Sequence, residues 1–132
     1  MRNIRIGNGY DVHRLEPGLP LVLGGIRLEH AKGCVAHSDG DVLVHALCDA
    51  LLGALALRDI GVHFPDTDPR YKGVDSMLLL SKVMELIASK GYKVGNVDCI
   101  LALQEPKIKG YIDQMRRNLA AGIALRTVAP LL

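Results

Sequence analysis

Aromatic side chains are scarce in this chain: 132 residues contain one phenylalanine, four tyrosines and no tryptophan. Proteins that stack bases need such rings, so a single-stranded nucleic-acid reader is set aside. No block of lysine or arginine occurs, and a net charge of +2 is too small to hold a polyanion by charge alone. Cysteine is also rare. Cys34, Cys48 and Cys99 are odd in number, widely spaced and in no C-x-x-C pair, which excludes a disulfide framework and suits reduced thiols of an intracellular protein. No apolar run approaches the roughly 18–20 residues of a membrane span, and nothing at the start resembles a signal or transit peptide. The expectation is a soluble protein with neither membrane nor nucleic-acid partners, in the bacterial cytoplasm or as a mature plastid form.

What is present suits one globular domain over residues 1–132. The chain is 49% hydrophobic and 23% charged, long enough to build a core yet near the size where association helps. There is no internal repeat and no low-complexity tract. "NIRIGNGY" alternates and then meets glycines, as a strand running into a turn does. Leu21–Leu23 and Ile26–Leu28 flank Gly24-Gly25 and predict a hairpin. "HSDGDVLVHALCDALLGALAL" predicts the first helix, with Ser38 and Asp39 as N-cap candidates and Asp41 in the first turn. Gly53 inside it implies close packing. A loop of about twenty residues follows, long enough to suggest a functional role. A second helix is predicted from Asp75-Ser76 to Lys90-Gly91. "YKVGNVDCILAL" predicts a buried strand. A third helix follows with Ile112, Met115 and Leu119 on one face, and "GIALRTVAPLL" predicts a last strand. The order implies an α+β fold, with helices on one face of a mostly antiparallel or mixed sheet.

Asp11 and His13 in "GYDVHRL" project from one side of an extended chain. Asp41, His45 and Asp49 recur at i, i+4 and i+8 and form a polar stripe on an apolar helix. Carboxylates one turn from a histidine can orient it, and Asp11, His13 and His45 would make a three-ligand set with one position open, the pattern of a catalytic zinc. The residues alone leave the alternatives standing: a polar turn for Asp11 and His13, a solvated face for the stripe, and surface positions for His30 and His63. Asp59, Asp66 and Asp68 are either a cation or hydroxyl site or ordinary turn carboxylates. Lys107 and Lys109, before a helix start, give a weak phosphate signal.

In their order, "GYDVHRL", "AHSDGDVLVHALCDALLGAL", "RDIGVHFPDTDPRYKG", "KGYKVGNVDCILALQEPKI" and "QMRRNLA" resemble the 2-C-methyl-D-erythritol 2,4-cyclodiphosphate synthase family, almost continuously from Ile4 to about Ala121. The resemblance implies a homotrimer whose sheets face the trimer axis, with active sites between subunits. It also implies a CMP-releasing phosphorus–oxygen lyase of the non-mevalonate isoprenoid pathway, acting on 4-diphosphocytidyl-2-C-methyl-D-erythritol 2-phosphate. Zinc would be held by Asp11, His13 and His45, and magnesium or manganese would sit on the diphosphate. His37 and Ser38 would contact the phosphates during catalysis. Asp59, Ile60 and Gly61, with Phe64, Pro65, Asp66, Thr67 and Asp68, match the methylerythritol pocket. Leu103, Gln104, Glu105, Pro106, Lys107 and Ile108 match part of the cytidine pocket. Asp41 and Asp49 would orient His45.

The chain departs from the family in one place. A strand and a "TTTEKLGFTGRGEG"-like stretch are expected after the third helix, but "RRNLAA" runs directly into "GIALRTVAPLL" at Ala121–Gly122. That stretch carries the diphosphate-clamping threonine and the glutamate of the second metal. A true deletion predicts zinc binding with very poor cyclisation. The alternative, a sequence that skips residues at that point, is favoured, because a family strand is not removed cheaply from a sheet.

Overall fold

The structure, a computed structural model, describes residues 3–127. Four three-residue strands come first: β1 (Leu15–Pro17), β2 (Leu21–Leu23), β3 (Ile26–Leu28) and β4 (Lys32–Cys34). The predicted hairpin is present, with β2 and β3 pairing antiparallel in the register Leu21–Leu28, Val22–Arg27 and Leu23–Ile26. Gly24 and Gly25 take φ of 58° and 77°, the positive values that a two-residue hairpin turn with the right twist demands. The turn points Leu21, Leu23 and Leu28 into the core. β1 pairs with β4, Leu15 opposite Cys34.

Three long helices make the other layer: α1 (Val42–Ala54), α3 (Ser76–Ser89) and α4 (Ile112–Thr127), with the short α2 (Ile60–His63) after α1. α3 begins and ends where its signals lie. Asp75 caps the Met77 amide, Lys90 closes the helix, and Gly91 follows with φ of 83°. Leu79, Leu80, Val83, Met84 and Ile87 form its buried stripe; Leu80, Val83, Met84 and Ile87 share one core with Val44, Leu47, Cys48 and Leu52 of α1 and Met115 and Leu119 of α4. Ile112 is 40% exposed and departs from the face predicted for it. The cap of α1 is Asp41, which accepts from the Val44 amide, rather than Ser38 or Asp39.

Gly53 does not mark close packing. Among the described residues nothing lies within 4 Å of a Cβ built there. Gly53→Ala is therefore expected to stabilise the fold by roughly 0.5–1 kcal/mol, read as a rise in thermal midpoint.

The α+β class holds, with the sheet reduced to two small antiparallel pairs among the described residues. Three predicted strands are not formed. Residues 122–127 of the last one are helical, because α4 continues through Ala121 and Gly122 without a stop signal. Gly122 suits the helix for a second reason: its missing side chain lets α4 approach Leu80 and Met77 of α3, whose atoms would stand 3.0–3.1 Å from a Cβ. Residues 128–132 of that prediction lie outside the described residues. Residues 92–103 and 3–14 are extended without a ladder. Instead of being buried, 95–100 are exposed, Ile100 at 92%. An open groove of about 760 Å³ lies between 94–101 and α4, with Ile108, Met115 and Leu119 in its lining.

The first segment is held in place by its glycines. A Cβ on Gly7 would fall 1.8 Å from the Ala50 carbonyl oxygen, and one on Gly9 1.8 Å from that of Ala46. The chain is thus seated directly on α1. With alternation set by this seat, Ile4, Ile6, Tyr10 and Val12 point away from α1 and are at least 66% exposed, while Asp11 and His13 continue the inward series. Gly9→Ala is expected to cost about 1–3 kcal/mol or more, because rigid backbone blocks the new methyl. It should also lower metal affinity by displacing Asp11 and His13. Urea unfolding and competition with a chromophoric chelator check the two effects.

Candidate metal centre

Asp11, His13 and His45 converge. His13 Nε2 lies 3.1 Å from His45 Nδ1 and 3.1 Å from Asp11 Oδ2, and His45 Nδ1 is 3.2 Å from the same oxygen. Three donor atoms at the corners of a near-equilateral triangle suit one small cation. With bonds near 2.0–2.1 Å, tetrahedral ligands of zinc stand roughly 3.3–3.4 Å apart. The set of one carboxylate and two imidazoles also fits a borderline-soft divalent ion. His45 is nearly buried, but the side chains of His13 and Asp11 keep 17% and 24% of their surface, so one side of the triangle faces outward. Burial pushes the Asp11 carboxyl up, yet the hydrogen bond with His45 and the charges of His13 and His45 outweigh it and hold the group below the usual carboxylate value.

The polar stripe of α1 is not a solvated face. Asp41 is fully buried and accepts from three amides: Gly24 at 2.9 Å, Gly25 at 2.7 Å and Val44 at 3.2 Å. It locks the hairpin turn to the start of α1. Burial nevertheless leaves its carboxyl above the usual value, despite those bonds. Asp49 accepts from the Ile60 amide at 2.9 Å and so anchors α2 to α1. Its carboxyl also lies above the usual value, chiefly through burial. Neither carboxylate hydrogen-bonds the His45 ring, which corrects the orienting role expected for both. Their reach is taken up by backbone donors.

The His45 ring is held elsewhere. Its Nε2 is 2.8 Å from Ser76 Oγ and 3.0 Å from Ser38 Oγ. Ser76 was visible in sequence only as a helix start. Its approach to a histidine 31 residues away has no local signature. Ser38 is thus brought to the metal triangle. His37 turns to the loop, its Nε2 3.0 Å from the Asp68 carbonyl oxygen, and accepts from the Gly73 amide at 2.7 Å. The 37–38 turn and the 64–68 segment therefore meet.

Two of the three loop carboxylates act as caps. Asp59 receives the Val62 amide. Asp68 receives the Arg70 amide and its guanidinium, which holds the carboxyl below the usual value. Asp66 and Thr67 are exposed, Ile60, Phe64 and Pro65 half-buried, and Gly61 lies in α2. His63 is no free surface residue, since its Nε2 bonds the Leu57 carbonyl at 2.8 Å. Leu103, Gln104, Glu105, Pro106 and Lys107 lie in the segment leading to α4, with Ile108 in the groove. No hydrogen bond or ion pair among the described residues joins them to the metal triangle.

Residues 4–129 match the YgbB family. This chain belongs to that family. The 2-C-methyl-D-erythritol 2,4-cyclodiphosphate synthase of Thioalkalivibrio sulfidiphilus is 62% identical over 130 residues, covering 97% of this chain and 81% of the relative. That of Porphyromonas gingivalis is 61% identical over 116 residues, covering 88% and 72%. Among solved structures, a 2C-methyl-D-erythritol-2,4-cyclodiphosphate synthase in a CDP-bound form superposes with a TM-score of 0.85 at 44% identity, covering 90% of this chain and 79% of that one. A Plasmodium falciparum CDP complex gives 0.77 at 34% identity, covering 93% and 75%. The YgbB match spans the metal triangle, the 37–38 turn, α2 and the 103–108 segment together. Among the described residues, no helix is long and apolar enough to cross a membrane.

Proposed function

We propose that the chain is a 2-C-methyl-D-erythritol 2,4-cyclodiphosphate synthase. In this reading it converts 4-diphosphocytidyl-2-C-methyl-D-erythritol 2-phosphate to the cyclic diphosphate and CMP, as a phosphorus–oxygen lyase of the non-mevalonate isoprenoid route in the bacterial cytoplasm. The observation that carries this is the convergence of Asp11, His13 and His45 beside Ser38 in a chain of this family.

Asp11, His13 and His45 would hold zinc, which when bound supplies Lewis-acid polarisation of a phosphate oxygen. The substrate's 2-phosphate is already anionic, so the protein need not supply a strong base. Its task is to fold the substrate until that oxygen faces the β-phosphorus. Ser38 and His37, on the turn leading to α1, would contact the phosphates. Asp59, Ile60, Gly61 and the 64–68 segment, kept near by the bonds of Asp49 and His37, would form the methylerythritol pocket. Leu103 to Ile108 would face the cytidine of a site shared with a neighbouring subunit. A homotrimer is supported by the strip Ile4, Ile6, Tyr10 and Val12, whose exposure on one side of an extended segment suits cover by copies of the chain.

The second divalent ion expected from the resemblance finds no ligand set among the described residues beyond the first triangle, and no step is routed through it. This favours a second reading, a zinc-binding chain with very poor cyclisation, because α4 runs directly over Ala121–Gly122. Incubation with the cytidylated substrate, zinc and magnesium separates the readings. CMP with the cyclic diphosphate supports the synthase, CMP with a linear product indicates a hydrolase, and zinc binding without turnover supports the second reading.

A further inference from the structure

We infer that Ser76, braced by Asp39, is a positioning residue that keeps a proton on His45 Nε2 and thereby leaves Nδ1 as the nitrogen that a metal between Asp11 and His13 can take. The inference rests on the metal centre of the proposed function and goes beyond its ligands.

The direction of each bond follows from donor arithmetic. Asp39 accepts the Ser76 hydroxyl at Oδ1 and the Ser76 amide at Oδ2, 2.9 Å away. A carboxylate only accepts, so the Ser76 hydroxyl proton is committed to Asp39. Ser76 Oγ therefore offers a lone pair to His45 Nε2, 2.8 Å away. Two lone pairs at that distance repel, so Nε2 must be the protonated nitrogen. Ser38 Oγ, 3.0 Å from the same nitrogen, then shares that proton as a second acceptor. Ser38 also receives the Gly40 amide at 3.2 Å, so its own hydroxyl proton remains to be offered outward, toward a phosphate. Nδ1 faces Asp11 Oδ2 at 3.2 Å, where a proton bridges the two while no metal is bound; with Nε2 protonated by its own partners, Nδ1 is the nitrogen left to give its lone pair when a metal takes that proton's place.

The brace is rigid at both ends. Ser76 is fully buried at the start of α3. Asp39 is tied by the Asp41 amide at its Oδ1 and through its own amide to the Val74 carbonyl. The relay thus joins the turn before α1 to the first turn of α3, and the His45 ring stands between them.

The test uses the full chain with histidine labelled in 15N, and a long-range 1H–15N correlation that reports which His45 nitrogen carries the proton. Zinc affinity is measured alongside by competition with a chromophoric chelator. Wild type should show protonated Nε2 with and without zinc. Ser76→Ala, a small change at a position where alanine suits the helix, should give mixed tautomers and about 10- to 100-fold weaker zinc binding. Ser76→Thr, which keeps the hydroxyl, should restore both. Asp39→Asn can donate to Ser76, reverse the relay and favour unprotonated Nε2; it serves as the second variant if Ser76→Ala does not fold. Unprotonated Nε2 in wild type, with or without zinc, or wild-type zinc affinity with an unchanged tautomer in Ser76→Ala, would overturn the inference. Zinc bound without turnover defeats the synthase reading and leaves this contrast intact. A wild type that binds no zinc defeats the metal centre, and the tautomer then decides the relay alone.

Discussion

His45→Ala is expected to abolish stoichiometric zinc binding and, with it, formation of the cyclic diphosphate. The three donor atoms stand 3.1–3.2 Å apart, so each supplies one corner of the triangle and no neighbouring carboxylate can take its place. Asp41 and Asp49, one turn to either side on α1, are committed to backbone amides. The loss should exceed the roughly 10- to 100-fold penalty typical of removing an outer partner of a metal ligand. It should be larger than for Asp11→Asn, which keeps one neutral oxygen at its corner. The deletion also removes the ring that Ser38 and Ser76 address, so added imidazole should recover little. Metal analysis of the dialysed variant gives the answer, and one zinc per chain retained in His45→Ala would sink the assignment.

Asp41→Ala is expected to be the most destabilising single change outside the hydrophobic core. It removes the acceptor for three amides, two of them at the hairpin turn and one in the first turn of α1. An orphaned buried donor costs about 1–3 kcal/mol, and a lost cap about 0.5–2 kcal/mol. Only the Gly24 amide of the turn is buried, so the total is on the order of 2–5 kcal/mol, a large part of the roughly 5–15 kcal/mol that holds a domain together. Asp41→Asn keeps one acceptor and should lose less. The pair also separates by pH. The folded carboxyl titrates above its unfolded value, raised by burial, so the linked contribution is present below the unfolded pKa and is lost as the pH rises through the folded one. Wild type should show that decline, and Asp41→Asn should lose Asp41's share of it while keeping the share of Asp49, whose carboxyl is also raised. Urea unfolding across mildly acidic to neutral pH measures it, and equal midpoints for wild type and Asp41→Ala would refute the role.

Local signals were legible and distant ones were not. Gly24-Gly25 announced the hairpin because positive φ is written in the residue type, as Gly91 announced the end of α3, and Asp75 bounded its start because a short carboxylate side chain caps the first amides. The pairing of Asp11 with His13 followed from period two, and the structure keeps both on the side of His45. The hydrogen bonds of Asp41 could not be read from spacing. On a helical wheel it sits one turn from His45, yet its oxygens go to a turn sixteen and seventeen residues earlier. Ser76 was missed because it reaches His45 from the other end of a long loop. The strand expected after Ala121 failed on a matter of context. "GIALRT" carries no helix breaker apart from Gly122, and that glycine is the residue that lets α4 lie close on α3.

The seating of Gly7 and Gly9 on α1 has a kinetic side. His13 and Asp11 lie 32 and 34 residues from His45 in sequence, and Ser76 lies another 31 beyond it. Closing those loops must precede any tight chelate, so the pocket for the ion comes into being only when most of the chain has already collapsed. An ion captured by the finished fold and not by the open chain then acts as a latch, deepening the folded state with the logarithm of its free concentration. Supply of the metal in the cell would thereby set how long each molecule survives as well as how fast it works.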